Sequence, residues 1–439
     1  MNLEGLNLRD IVNKVAVHGR DWLIIRLNYV KEYYWIITCN RRHTKALAIL
    51  QGKKKIKVAF FVIHKTVWKC DDLYKMLESS ERFEPFIVIC PYVTYGRDIM
   101  LKEMDDAIEF FKLKKFAVIQ TYNSESNVWL DVKKEIDPDI VFFTNPHKLT
   151  RPEYYITNYM DKLTCYVPYG FMIANIQDSQ YNQLFHNLIW KSFYETTIHK
   201  GMAQRYARNR GRNVVVTGYP ACDVFIDREY KPRDVWKSTN KRLKRIIWAP
   251  HHTIEKDDKQ LGYSTFLQYH QFFLDLAEKY KDKIQLAFKP HPILKNKLYL
   301  HPDWGNEKTD VYYSHWNTLL NGQLEVGVYE DLFLTSDALI LDSISFIAEY
   351  LYTSKPSLFV FSDSNPQHEF NEFGRLAINQ LYLAYMDKDI LNFIEKIVLS
   401  EKDSMRDQRT TFLNEYLRPV NNISATRHIY NFIETETHP

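Results

Sequence analysis

Three short stretches carry residue types that can handle a phosphate ester. Lys289-Pro290-His291-Pro292 follows the apolar run Ile284 to Phe288, which sets a cation and an imidazole at one strand end. Such a pair can neutralise a diphosphate, and the histidine can also move a proton near neutral pH. His251-His252-Thr253 follows a second run, Lys244 to Pro250. Two adjacent histidines suggest metal ligation, but neighbours in an extended segment point to opposite faces. A diphosphate or acceptor contact is therefore the first reading for His251 and Thr253, structural hydrogen bonding the second and a metal the last. In the third stretch, Asp342-Ser343-Ile344-Ser345, small polar residues separate the run Ala338 to Leu341 from a helix. A helix start offers free N–H groups to a phosphate. Glu349 lies four residues beyond Ser345, on the same helical face, where a carboxylate can accept from ribose hydroxyls. The plainer readings are a proline turn with a solvated lysine, and a serine cap with a surface glutamate.

The N-terminal half offers His64, Trp68, Asn145, His147, Tyr169 and Gly170. All follow apolar runs, so they are expected on the acceptor side of a crevice. Taken singly, each has core packing or turn formation as its plainer role. Neither GxGxxG nor GxxxxGK[ST] occurs, which removes the ordinary dinucleotide and P-loop sites.

The elements that must position these residues alternate between strand and helix. Lys57 to Ile63, Phe86 to Ile89, Phe116 to Ile119 and Asp139 to Phe143 are continuous apolar runs, as strands buried on both faces require. Leu163 to Val167 and Val214 to Thr217 read as further strands. Arg228 to Arg242 is charged, contains Pro232 and reads as a linker. The same alternation then restarts at Lys244. This predicts two parallel α/β domains, with ligands at the carboxyl ends of the strands. The expected division is a helical segment over 1–52, an acceptor-side domain over 53–228, a donor-side domain over 229–405 and a helical tail over 406–439.

Bulk properties narrow the class. Hydrophobic residues make up 45% and charged residues 26% of 439, which is globular and long enough for two domains. Five cysteines without a CxxC pair read as reduced thiols, not a disulfide frame or zinc site. Neither a signal peptide nor a membrane-spanning run is recognised, so a cytoplasmic location is expected. Residues 1–57 hold 12 Lys/Arg against 4 Asp/Glu, leaving 46 against 50 in the rest. A basic, aromatic terminus packs on the body as a helical hairpin or lies on a membrane surface through residues 1–55. With the basic excess confined there and no recognised motif, nucleic acid is not an expected partner.

Several runs together resemble the CDP-glycerol glycerophosphotransferase family, of the teichoic-acid and capsule polymerase type. They are Ser336-Asp337 through Asp342 with Ser345, Glu349 and Lys355-Pro356; Ile247-Trp248-Ala249-Pro250; Thr217-Gly218-Tyr219-Pro220 with Asp223; Phe373-Gly374; and Ser424 to Phe432. The resemblance implies a GT-B fold, two Rossmann-like domains around a deep crevice. It also implies a CDP-alditol donor, no obligatory metal or other cofactor, and peripheral contact with the inner face of the plasma membrane. It sets His291 near the donor diphosphate, Asp342 and Ser345 at donor positions and Glu349 as the helix acid. The sequence departs from the family where its N-terminal "HGT" reads Tyr169-Gly170-Phe171 and where "APT" reads Ala249-Pro250-His251. The general base then falls to Tyr169, His251, His64 or His147. A phenol with a pKa near 10 is a poor base unless strongly perturbed.

The expectation is therefore a transferase that carries a polyol phosphate, or alternatively a UDP- or CMP-linked sugar, to a polysaccharide or lipid-linked acceptor. A nucleotide-sugar epimerase of the UDP-GlcNAc 2-epimerase class and a non-catalytic assembly protein are the rival readings.

Overall fold

The computed structural model describes residues 8–254, 263–342, 344–362 and 369–438. Helix α1 (Leu8–Gln51) is one continuous 44-residue rod, about 66 Å long at 1.5 Å per residue. The helical hairpin is thus not formed: no proline interrupts the segment. Ile36, Cys39, His43, Ala46 and Leu50, spaced by three and four, bury one face of its C-terminal half against the body.

The first sheet contains β1 (Ile56–Val62), β2 (Phe83–Ile89), β3 (Val118–Gln120), β4 (Ile140–Phe143), β5 (Leu163–Tyr166), β6 (Lys191–Tyr194) and β7 (Val214–Val216). All pairings are parallel, in the order β3-β2-β1-β4-β5-β6-β7. The second sheet contains β8 (Lys244–Ala249), β9 (Ile284–Phe288), β10 (Gly322–Leu324), β11 (Ala338–Leu341), β12 (Ser357–Val360) and β13 (Tyr382–Ala384). It too is parallel, in the order β10-β9-β8-β11-β12-β13. Both orders reverse beside their first strand, the Rossmann arrangement, so each sheet has a crevice between its first and fourth strands. The sequence reading omits β6, β10 and β13. These are only three or four residues long, and Ser192 and Gln323 interrupt the apolar signal although both are buried.

Helices that bear on the site are α2 (Asp71–Glu78), α3 (Arg97–Leu113), α4 (Thr197–Tyr206), α5 (Phe266–Lys279), α6 (Ser345–Leu351), α7 (Glu372–Ile378) and α8 (Ala425–Thr437). The last of these returns to the first sheet. Ile429 and Ile433 are fully buried in the core that β1 and β2 share. Asp223 fixes the start of α8, its two oxygens accepting the amides of Ala425 at 2.7 Å and Thr426 at 2.8 Å. Gly218 adopts φ +90°, and a Cβ there would stand 3.2 Å from the Ala425 methyl, so glycine suits both the backbone and the close packing on α8.

The two sheets are joined along a second seam. Ala174 and Phe370 form an antiparallel bridge, and the Asn371 amide donates to Ile173 O at 2.9 Å. Phe171 stacks on Phe373 with centroids 5.1 Å apart. At Gly374 a Cβ would stand 2.5 Å from Ile173 O, so only glycine allows this approach.

Candidate active site

The carboxyl ends of β8, β9 and β11 converge at the reversal point of the second sheet. Asp342, just past β11, is nearly inaccessible and accepts the His251 amide at 2.5 Å. Its other oxygen takes the Thr265 amide at 2.5 Å and hydroxyl at 2.8 Å, ahead of α5. His291, past β9, is tied back through its amide to Pro250 O at 3.0 Å.

Three imidazoles gather on this frame. Ring centroids are 4.2 Å apart for His251 and His252, 5.1 Å for His251 and His291, and 4.3 Å for His252 and His291. This corrects the expectation that the adjacent histidines diverge. Strict alternation holds only in extended chain, and the backbone bends at His252. Thr253 Oγ1 lies 2.9 Å from His251 Nδ1 and accepts the Tyr263 amide at 3.0 Å. Thr253 thus orients a ring; its hydroxyl is engaged within the protein.

Burial dominates the electrostatics. It pushes His251 down to about 2, His252 to about 4 and His291 to about 3; His252 and His291 lower His251 further, His252 and Lys289 lower His291, and Lys297 adds to each. All three are neutral at pH 7. Lys289 is also buried, which lowers it to about 8 against the opposing pull of Glu325 and Glu330. Its Nζ donates to Gly327 O at 2.7 Å.

Two donor-side expectations change in kind. The Asp342 carboxylate has both oxygens committed to the loop frame, so it positions His251 and does not face a ligand; burial pushes it up to about 6. Glu349 is not a surface residue: it is 5% exposed on α6, and burial pushes it up while Lys69 and the Tyr329 hydroxyl pull it down. Its Oε2 has no hydrogen-bond partner among the described residues. Ser343 lies outside the described residues. Ser345 opens α6.

The residues expected on the acceptor side divide more sharply. Trp68 is core, packed edge-on to Phe60 at 5.3 Å and Phe111 at 5.0 Å, with Nε1 donating to Asp71 at 2.9 Å. It therefore does not present its ring to an acceptor. Asn145 is buried, and Oδ1 accepts the His147 amide at 2.8 Å, which makes it a turn former. His64 remains partly accessible, 3.5 Å from Glu103 on α3 and against Tyr92. His147 Nε2 faces the Tyr169 hydroxyl at 3.4 Å, while Gln183 Nε2 meets its Nδ1 at 2.9 Å. Burial raises Tyr169, the wrong direction for a base, and lowers His147. A Cβ at Gly170 would meet nothing within 4 Å, so the space beside it is open.

A model of the CDP-Glycerol:Poly(glycerophosphate) glycerophosphotransferase family matches residues 179–435. This chain belongs to that family. It is a glycerophosphotransferase-like transferase with a GT-B fold, and the match takes in the whole second sheet with its histidine cluster. No curated protein sequence matches. Among solved structures, a variant of the wall teichoic acid polymerase TagF aligns at TM-score 0.56 and 13% identity, over 94% of this chain and 98% of that one. UDP-GlcNAc 2-epimerase from Methanocaldococcus jannaschii aligns at 0.54 and 13%, over 86% and 99%. The Neisseria meningitidis epimerase bound to UDP-GlcNAc aligns at 0.52 and 14%, over 87% and 100%. At such identities these likenesses concern the fold alone.

Many motif residues of this family member are architectural. Lys355 donates to Phe333 O and Leu334 O, closing a helix end. Asp337 accepts the Arg245 amide at 2.8 Å, and Asp223 and Gly374 serve the seams described above. Sequence reasoning missed two residues of the crevice. Strict alternation hides His252, although a bend after Pro250 is a signal of convergence. Lys69, which lies 5.8 Å from the Tyr329 ring across the crevice, carried no local signal.

Proposed function

We propose that this transferase takes a CDP-activated polyol, glycerol or ribitol phosphate, and adds it to a hydroxyl of a teichoic-acid-like surface polymer or its lipid-linked precursor. The observation that carries the reading is that the family match spans residues 179–435 and so contains the cluster of His251, His252 and His291 with Lys289 beside it. In this reaction the acceptor oxygen attacks the phosphorus bearing the polyol. The P–O bond to CMP breaks and CMP leaves with the electron pair. Preorganised donors at the diphosphate stabilise that charge. Lys289 and His291 are assigned this task, Glu349 the ribose hydroxyls, and His64 or His147 the acceptor proton. The first sheet serves the acceptor and the second the donor, with divisions near residues 52, 228 and 405.

No described helix is long and apolar enough to cross a membrane. Leu27, Val30, Tyr34 and Ile37, spaced by three and four on α1, are each more than half exposed. Arg41 and Lys45 continue this face as exposed cations. The stripe supports α1 lying on an anionic bilayer with its cations at the headgroups. The enzyme would then work at the inner face of the plasma membrane.

The test of donor identity is a thermal-shift panel with CDP-glycerol, CDP-ribitol, UDP-sugars and CMP-sugars. A ligand at 100 times its Kd adds about 2.7 kcal/mol to the folded state. Selective stabilisation by a CDP-alditol is expected. Stabilisation by a UDP- or CMP-sugar alone would overturn this donor in favour of sugar transfer.

A further inference from the structure

His251, His252 and His291 each bring one ring nitrogen within 4.8 Å of the other two. In tetrahedral zinc sites with bonds near 2.0–2.1 Å, neighbouring nitrogens stand about 3.4 Å apart. Small side-chain rotations therefore suffice to close three ligands on one ion. The frame beneath them is fixed by backbone bonds: His251 N to Asp342, Ser264 Oγ to His251 O at 2.7 Å, and His291 N to Pro250 O.

The nitrogens are suitably disposed. His251 engages Thr253 through Nδ1, which leaves Nε2 to ligate, and a hydrogen-bond partner behind the ring holds its orientation, as partners behind metal-bound histidines do. His252 Nδ1 is buried and has no hydrogen-bond partner among the described residues. Such an orphan is costly unless something satisfies it. His291 Nδ1 takes the Ile293 amide over a long 3.2 Å, a contact that ligation at this nitrogen would displace. An all-imidazole set suits zinc, cobalt, nickel or copper and not magnesium or calcium, which prefer oxygen.

We propose that His251, His252 and His291 bind one divalent transition-metal ion of the zinc and cobalt class, leaving a coordination position open toward the crevice. Three protein ligands with an open position is the pattern of catalytic, not structural, zinc. What the ion does rests on the donor reading above: an oxygen of the donor diphosphate would take the open position. Whether the ion binds is independent of that reading.

The test uses the full-length chain, free of affinity-tag histidines and stripped with a chelator. Cobalt is titrated in and followed by its visible d–d absorption. The expected result is saturation at one ion per chain, reversed by zinc. Even a group behind a metal ligand is worth about 10–100-fold in affinity, so His251→Ala, His252→Ala and His291→Ala should each weaken binding by at least about 10-fold. Circular dichroism and melting of the metal-free variants separate loss of the site from loss of the fold. His252→Ala is the most informative, because its ring nitrogen holds nothing else in place. No saturable absorption in the wild type, or unchanged affinity in folded variants, would overturn the proposal. A protein that takes up no cobalt yet binds and turns over CDP-glycerol would sink the metal site and keep the donor reading. Cobalt uptake with no response to any nucleotide donor would do the reverse.

Discussion

The Asp342 carboxylate accepts the backbone amide of His251, and so the ends of β8 and β11 are joined at the point where the strand order reverses. One buried side chain thereby sets the height of the imidazole cluster above the second sheet. Asp342→Asn keeps the shape but turns a donor toward Thr265 or His251, where only acceptors serve. A buried hydrogen bond lost this way costs about 1–3 kcal/mol. The expected outcome is a lower midpoint in urea, together with a fall in turnover larger than the change in apparent donor affinity. Wild-type turnover in a folded Asp342→Asn protein would show that the strand ends do not set the catalytic geometry.

Among the described residues, the ring contacts of His291 are with His251 and His252, and the residue is only partly buried. His291→Ala should therefore fold normally. Turnover with CDP-glycerol should drop by at least about 100-fold, as lost charge stabilisation or acid–base function predicts. Single-turnover assays at saturating donor, beside a melting curve, measure both effects.

The architecture was largely legible because parallel strands buried on both faces announce themselves as unbroken apolar runs. Phe86-Ile87-Val88-Ile89 and Ile284 to Phe288 needed no tertiary information. His251 and His291 were legible for a related reason, since residues just past such runs must sit at the carboxyl end of a sheet. What the sequence hid was direction. Asp342 and Trp68 each follow a strand end, yet one turns into a loop frame and the other into the core. Spacing along the chain cannot distinguish these from crevice-facing residues, because packing by distant elements decides. The helix behind Trp68 illustrates this, with Phe111 more than forty residues away.

Trp68 gives a clean contrast between core and site. Trp68→Ala should cost about 3–5 kcal/mol through the cavity it leaves. Trp68→Phe preserves most of the contact with Phe60 and Phe111 and should keep near-normal kinetics at a modest cost in stability. A large rise in acceptor KM for the folded Phe variant would restore this residue to the acceptor site.

The exposed stripe on α1 can be tested without disturbing the fold, because its residues lie opposite the buried Ile36, Cys39 and His43. Replacing Leu27, Val30 and Tyr34 by Glu should abolish sedimentation with anionic vesicles and leave thermal stability unchanged. Deleting residues 1–50 is a poorer experiment, since it removes Ile36 through Leu50 from the core and should misfold the protein. If the triple Glu variant still sediments with vesicles, the stripe is not the membrane contact; loss of a dimer in its place would show that it is a self-association surface.

Glu195 sits beneath the loop that carries Tyr169 and Gly170 and is almost completely buried. Oε1 accepts the Met172 amide at 3.0 Å, and Oε2 has no hydrogen-bond partner among the described residues. His199, at the same seam, does not neutralise it. Nε2 donates to Met172 O at 2.8 Å, Nδ1 is satisfied by the Thr196 hydroxyl at 2.7 Å, and burial lowers this ring to about 4. Burial accordingly raises Glu195 from 4.5 to about 8. A carboxyl whose folded pKa is raised holds its proton more tightly in the native state. The stability it confers is complete below pH 4.5, declines as pH rises through 8 and is gone above. Glu195→Gln cannot ionise, so it should melt at a temperature close to wild type at pH 5 and increasingly above it toward pH 9. The difference should reach the order of a few kcal/mol, since each pKa unit corresponds to about 1.4 kcal/mol. Subtracting the two melting profiles cancels titrations common to both, including the opposite drift from His199, whose contribution is lost as pH falls. A pH-independent difference between the two proteins would mean that Glu195 ionises in the native state as readily as in the unfolded chain.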